Sequence, residues 1–300
     1  MFMKTHLIAL GALILAATGS AQADTLAKIR QSGSISMGVR ESSGGLSYAM
    51  GDGKYGGFHV ELCERVLADI RTSLRLPALE IKYQAVTSQN RIPLLQNGTV
   101  DIECGSTTNN AARQRDVAFA NTTYVEEVRV VVKADSGIDS LAQLNGRKVA
   151  TTTGTTSVQL LRKHERAGGI NFDEVFGKDH AESFLLLETG RADAFVMDGQ
   201  ILAASISRSK KPSGYRILAE VLAVEPIAIM LRKDDPSFKN AVDEGLAAMM
   251  KSGELSRIYD KWFMRPIPPA NVAIGLPASS ATKDAWTAPN SRPVEELGKR

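Results

Sequence analysis

Apolar and polar residues alternate through Ser34-Ile35-Ser36-Met37-Gly38-Val39, a period of two that predicts a strand over 34–39, closed by Arg40 and a Ser-Ser-Gly-Gly loop. The period then changes. From Phe58 on, Val60, Leu62, Cys63, Val66 and Leu67 recur at helical spacing to about Leu74. A strand over 79–86, a short helix over 90–96 and a strand over 100–104 follow. A second set begins after Tyr124, with strands over 128–133, 147–152, 172–176 and 192–197. Between them lie a helix opened by Gly154-Thr155-Thr156-Ser157 and running to about Arg166, and helices over 181–189 and 200–207. A strand over 227–231 precedes helices over 237–250 and 255–262. From Pro266 the chain is rich in Pro, Ala, Ser and Asn, and is expected to drape over the surface with little regular structure. Strands alternating with helices imply an α/β fold of mainly parallel sheets, with right-handed crossovers and helices on both faces.

Composition narrows the class. At 300 residues the chain has room for two domains of about 100–200 residues each. A hydrophobic share of 43% and a charged share of 23% exclude disordered and collagenous chains. The net charge of +3 has no concentrated block, so nucleic acid is not an expected partner. Two cysteines, Cys63 and Cys104, and four histidines without HxxxH or CxxC spacing give no dedicated metal site. The start of the chain sets the compartment. Lys4, the apolar run 7–19 and Ser20-Ala21-Gln22-Ala23 form the three parts of a secretory signal at 1–23, cut after Ala23. The run is shorter than the roughly 20 residues that span a bilayer. An exported, periplasmic protein is expected, in which an even cysteine pair favours a disulfide; two separately buried thiols are the other reading.

Several motifs resemble one family. Gly56-Gly57-Phe58 opening a helix, then Gly105-Ser106-Thr107-Thr108 and Arg113, resemble the family 3 periplasmic solute-binding proteins, receptors of polar amino-acid ABC importers. Arg40-Glu41-Ser42-Ser43, the stretch from Thr87 to Gly98, Glu103-Cys104-Gly105-Ser106-Thr107-Thr108-Asn109-Asn110, and Lys178-Asp179-His180 resemble the glutamate/aspartate-binding branch. The resemblance extends through Trp262-Phe263 and Pro266-Ile267-Pro268-Pro269, and so covers the mature chain. It implies a type II binding protein: two α/β lobes joined by two crossing strands that close on a ligand. Lobe 1 would be 24–125 with 229–300, and lobe 2 would be 126–228. It implies a monomer without cofactor, partnered by L-glutamate or L-aspartate and an inner-membrane ABC permease.

Candidate ligand-binding residues fall where an open α/β sheet keeps its ligands, beyond the carboxyl ends of strands. Arg40 ends the first strand, Ser88 and Arg91 follow the second, and Ser106, Thr108 and Arg113 follow the third. Each arginine alone reads equally as a solvated surface residue; three at one topological edge are costly to bury without anions. By resemblance Arg113 grips the ligand α-carboxylate, with hydroxyl and backbone N–H donors completing the shell. Thr155 and Thr156 open a helix that faces anions or is simply capped. Asp198 would accept the ligand ammonium, although an N-cap role suits it too, and the chain departs from the family pattern at Gly199-Gln200. By resemblance His180 donates to the side-chain carboxylate; by sequence alone it is a loop histidine. Tyr48, Phe119, Tyr124 and Trp262 read as packing residues.

Charge counting then favours a dicarboxylic amino acid. Arg113 and Asp198 satisfy the backbone charges, and Arg40 and Arg91 would stay unpaired against a neutral side chain. The alternatives are an exported dehydratase-like enzyme on the same fold and a ligand sensor for a membrane receptor. An enzyme needs a placed acid or base, and the acids of the cleft reduce to Asp198, with Glu41 and Glu225 as further candidates. No catalytic residue is assigned.

Overall fold

The computed structural model describes residues 24–297, so the proposed leader at 1–23 lies outside the described residues. Among those described, no helix is long and apolar enough to cross a membrane. The chain opens with α1 (Thr25–Ser32), whose first turn is capped by the Asp24 carboxylate. It continues through β1 (Ser34–Val39), a small antiparallel sheet of β2 (Ser42–Ser43), β3 (Ser47–Gly51) and β4 (Lys54–Gly56), and then α2 (Phe58–Ser73). Next come β5 (Glu80–Ala85), α3 (Arg91–Gln96), β6 (Ile102–Glu103), α4 (Ala111–Gln114) and β7 (Val117–Phe119). The second lobe follows as β8 (Tyr124–Lys133), β9 (Lys148–Thr152), α5 (Thr156–Gly168), β10 (Asp173–Gly177), α6 (His180–Glu188), β11 (Ala194–Asp198), α7 (Gly199–Arg208), β12 (Tyr215–Ile217) and β13 (Ala223–Ile227). The chain returns to the first sheet as β14 (Met230–Arg232) and ends with α8 (Pro236–Ser252), α9 (Glu254–Phe263) and α10 (Ser280–Thr287).

Two sheets result, in the orders β5-β1-β6-β14-β7 and β10-β9-β11-β8-β12, with β13 also on β8. In each, the three strands joined through helices are parallel, as the alternation predicts. β14 runs antiparallel to β6 in the first sheet and β8 antiparallel to β11 in the second, so both sheets are mixed, not mainly parallel. The expected single strand 227–231 is likewise two strands. It leaves β8 at Ile227, and the Ala228 N–H donates to the Thr107 carbonyl before Met230 pairs with Glu103 and Phe119.

In the first lobe α2, α8 and α9 bury Phe58, Leu62, Val66, Leu246, Tyr259 and Phe263 on one sheet face, and Leu95, Val100, Phe119 and Met230 fill the other. Tyr124, at the first crossing, stacks on Phe263 with ring centroids 5.7 Å apart. The second lobe has a separate apolar cluster on each face of its sheet. The tail departs from expectation. α10 is capped by Ser279, buries Thr282 against both backbone groups of Val125, and sends the Trp286 indole N–H to the Thr123 carbonyl at 2.7 Å. Beyond it Asn290 accepts from the Thr122 N–H and the Val294 N–H donates to Asn109. The tail is thus an ordered brace along the first crossing strand. Its short polar helix carries too little apolar periodicity to be seen in sequence.

Cys63 on α2 and Cys104 after β6 form a disulfide, resolving the open pair. The bond fixes the loop that starts at Gly105. On the same side the buried His59 contacts the Gly105 carbonyl through Nδ1 at 2.5 Å and the Thr123 hydroxyl through Nε2 at 2.6 Å. Burial pushes its pKa down to about 4, so it is neutral at pH 7. This histidine joins helix, loop and crossing strand, and nothing in its sequence context singles it out.

Candidate ligand-binding cleft

The cleft is built where strands stop. Arg40 follows β1, Ser88 follows β5, Arg91 opens α3, and Ser106 and Thr108 lie on the loop beyond β6; of the ten sequence-assigned residues, Arg113 on α4 is half-buried and the other nine are buried. From the facing lobe, Thr155 and Thr156 open α5, His180 opens α6 and Asp198 ends β11.

Arg40 is buried and donates through Nη2 to the Ser88 hydroxyl at 2.9 Å and towards His180 Nε2 at 3.2 Å in the other lobe. An arginine only donates, so His180 Nε2 is an acceptor, and its proton sits on Nδ1, 3.0 Å from the Thr152 hydroxyl. Burial, then the Arg40 and Arg91 charges, push this histidine well below its usual pKa. The geometry gives a neutral ring that orients Arg40.

Arg91 donates to the Ser106 carbonyl at 3.2 Å, and its Nε is buried without a partner. Arg113 donates to the Thr108 carbonyl at 2.9 Å and towards the Gly154 carbonyl of the other lobe at 3.4 Å. Burial, and secondarily Arg91, lower both Arg40 and Arg113 to a pKa of about 9. Three converging guanidinium groups make a strong anion trap.

The acids balance that charge in a way the sequence count missed. Asp198 makes no side-chain cap on α7; instead the Glu126 carboxylate on β8 faces the backbone N–H groups of Gly199 and Gln200 that open this helix. Asp198 is thereby left to the cleft. Burial, followed by the Glu225 charge, raises its pKa to about 7 against the pull of Arg91, Arg113 and Arg40. Glu103 lies fully buried among the arginines, one oxygen accepting from Thr107 at 2.9 Å and the other unpartnered. Glu225 accepts from Thr108 at 2.6 Å and Thr156 at 2.9 Å. Three arginines therefore face three acids, and the surplus of two positive charges counted from sequence is not there. Glu103 escaped notice because its Ile102-Glu103 alternation reads as an exposed strand face. Thr155 does not cap α5 by its side chain and turns its hydroxyl onto the Thr152 carbonyl at 2.7 Å.

Residues 35–265 match the family model of bacterial extracellular solute-binding proteins, family 3. The chain belongs to that family. Among its relatives, the glutamate/aspartate import solute-binding protein of Escherichia coli (strain K12) is 40% identical, with 97% of this chain and 99% of that protein covered. The L-glutamate/L-aspartate-binding protein of Pseudomonas aeruginosa is 39% identical, with 91% of each covered. An ABC uptake transporter substrate-binding protein from Streptococcus pneumoniae, solved with bound histidine, superposes with a TM-score of 0.73 at 21% identity over 83% of this chain and 98% of that one, a likeness of fold. The family 3 architecture accounts for the discontinuous lobes and the cleft between them. Among the described residues, no cluster of His, Cys, Asp and Glu could hold a metal ion.

Proposed function

We propose that this family 3 protein captures L-glutamate or L-aspartate in the periplasm and passes it to an inner-membrane ABC permease, binding the amino acid without turning it over. The observation that carries the proposal is the near end-to-end similarity to two proteins named for glutamate and aspartate. Charge balance no longer contributes, since Glu103 and Glu225 offset two arginines. Placement does contribute. Arg113 lies beside the helix-opening threonines, whereas Arg40 and Arg91 form a second cationic corner with Ser88 and Ser106, suited to a second carboxylate. Lobe 1 (24–125 and 229–300) and lobe 2 (126–228) are the bodies that move, and a leader at 1–23 directs export as a monomer. Calorimetric titration against the twenty amino acids tests this. Glutamate or aspartate should bind at micromolar Kd or tighter, about −8 kcal/mol or below. Tighter binding of glutamine, or binding no tighter than millimolar for all twenty, defeats it.

A further inference from the structure

The helix that carries Arg113 has little of its own to hold it in place. α4 is four residues long, and none of its side chains is buried. A single helical turn does not persist on backbone bonds alone. Asn110 caps it, accepting from the Arg113 N–H at 2.8 Å, and the rest of the hold comes from the end of the chain. The Ala111 N–H donates to the Glu295 carboxylate at 2.9 Å, and the Gln114 side-chain amide donates to the Ser291 carbonyl at 3.1 Å. Beside them Asn109 is fully buried. Its side-chain amide donates to the carbonyls of Ser291 at 2.9 Å and Arg292 at 3.3 Å, and its Oδ1 accepts from Gln114 at 2.8 Å. Its N–H donates to the Pro226 carbonyl on β13 at 2.8 Å, and its own carbonyl accepts from the Val294 N–H at 2.9 Å. Every polar group of this asparagine is thereby paired, most of them with the tail or with α4.

We propose that Asn109 is a positioning residue for Arg113, acting together with the tail segment 290–295. The Arg113 guanidinium is anchored within its own lobe on the Thr108 carbonyl, and Thr108 adjoins Asn109. Both the backbone of the arginine and the anchor of its side chain therefore follow this one buried node. The tail is in turn fixed to the first crossing, through Thr282 on Val125, Trp286 on Thr123 and Asn290 on Thr122. Arg113 is thus set relative to the two crossings and not to the core of its lobe, which its short helix does not enter. This inference rests on the carboxylate role proposed for Arg113, and adds that the polar end of the chain, far from the cleft in sequence, sets how tightly ligand is held.

The test is a double-mutant cycle read by calorimetric titration with L-glutamate. Asn109→Ala should weaken glutamate roughly tenfold in the otherwise wild-type chain, and less than about twofold in an Arg113→Ala chain, where the group it positions is gone. Equal losses in the two backgrounds overturn the proposal, because a general loosening of the fold acts with or without Arg113. If Asn109→Ala does not fold, Val294→Pro takes its place in the cycle. Val294 begins the single turn Val294–Glu296 behind Pro293, whose φ of −75° and ψ of 166° suit a following proline, so only the N–H given to Asn109 is lost. The same pattern is expected, and equal losses again overturn the role. Where Arg113→Ala chains bind too weakly to titrate, hydrogen exchange of the ligand-free Val294→Pro protein decides. Its Arg113 and Gln114 amides should exchange severalfold faster than in wild type while those of β1 and α2 do not change; unmoved α4 amides, or a uniform acceleration, overturn the proposal. A wild type that binds no amino acid, or an Arg113→Ala chain that binds glutamate as wild type does, defeats the reading of the site itself, an outcome distinct from equal losses.

Discussion

Arg113 and Arg91 occupy different corners of the cleft, and their loss should be felt by different ligands. Arg113→Ala removes the partner of the α-carboxylate, which every amino acid carries, and should weaken all of them. Arg91→Ala should weaken glutamate and aspartate by about 2–3 kcal/mol, roughly 30- to 150-fold, and glutamine far less. Equal factors for glutamate and glutamine in Arg91→Ala titrations would remove the second-carboxylate role. Asp198 adds a pH dependence. Its pKa of about 7 means that below neutrality the carboxyl must lose a proton to hold an ammonium, whereas the ligand amine stays charged. Affinity for glutamate should therefore fall with acidity, by up to about tenfold per pH unit below 7, with net proton release on binding. Equal Kd values at pH 6 and pH 8 contradict this. The arginines were legible in sequence because strand ends mark them. Glu103 and His59 were not, since each sits in an unremarkable strand or helix pattern and takes its partners from other elements, and Glu225 was legible only as a candidate acid without a role.

Short elements decide how the site is held. The segment Gly105–Thr108 begins one residue past a disulfide, and the chain between Cys63 and Cys104 forms a closed loop with a sequence separation of 41. Replacing both cysteines by serine should cost about 3–4 kcal/mol on the chain-entropy model, lowering Tm by roughly 6–16 °C for a chain of this size. A melting curve unchanged in the double variant rules out that contribution. Gly154 is constrained twice over: its φ is +81°, and a Cβ there would lie 2.7 Å from Gln89 Cα and 2.8 Å from Gln89 N in the opposite lobe. Gly154→Ala should therefore weaken glutamate at least tenfold by holding the lobes apart, and the positive φ adds a strain of about 1–2 kcal/mol that lowers Tm by a few degrees. Periodicity located most of the long strands and helices within a residue or two. It could not see that residues 227–231 change sheets at Ala228, nor that the polar tail folds into α10, because both facts are set by partners distant in sequence.

At the scale of the whole molecule, the lobes touch through groups that need no ligand between them. The Gln200 side chain, on α7, accepts from the Gly45 N–H at 3.0 Å, the Ala181 N–H reaches the Ser42 hydroxyl at 3.3 Å, and Arg208 lies 4.3 Å above the Tyr48 ring. Gly44 leaves the room that Gln200 occupies: a Cβ there would sit 2.1 Å from its Oε1. Each contact is individually worth about 1 kcal/mol or less, too little to fix one arrangement of two lobes on a two-strand hinge. The groups that hold the carboxylates and the ammonium come from both lobes, so a bound amino acid favours the arrangement in which they converge, and the equilibrium must shift toward it by the difference in affinity between the two states. A micromolar ligand has ample binding energy for such a shift. Small-angle scattering should then show a smaller radius of gyration at saturating glutamate than without it. Gln200→Ala should widen that difference by loosening the unliganded lobes while leaving the saturated value in place. An identical radius with and without glutamate, in both proteins, would mean that the lobes do not act as a clamp.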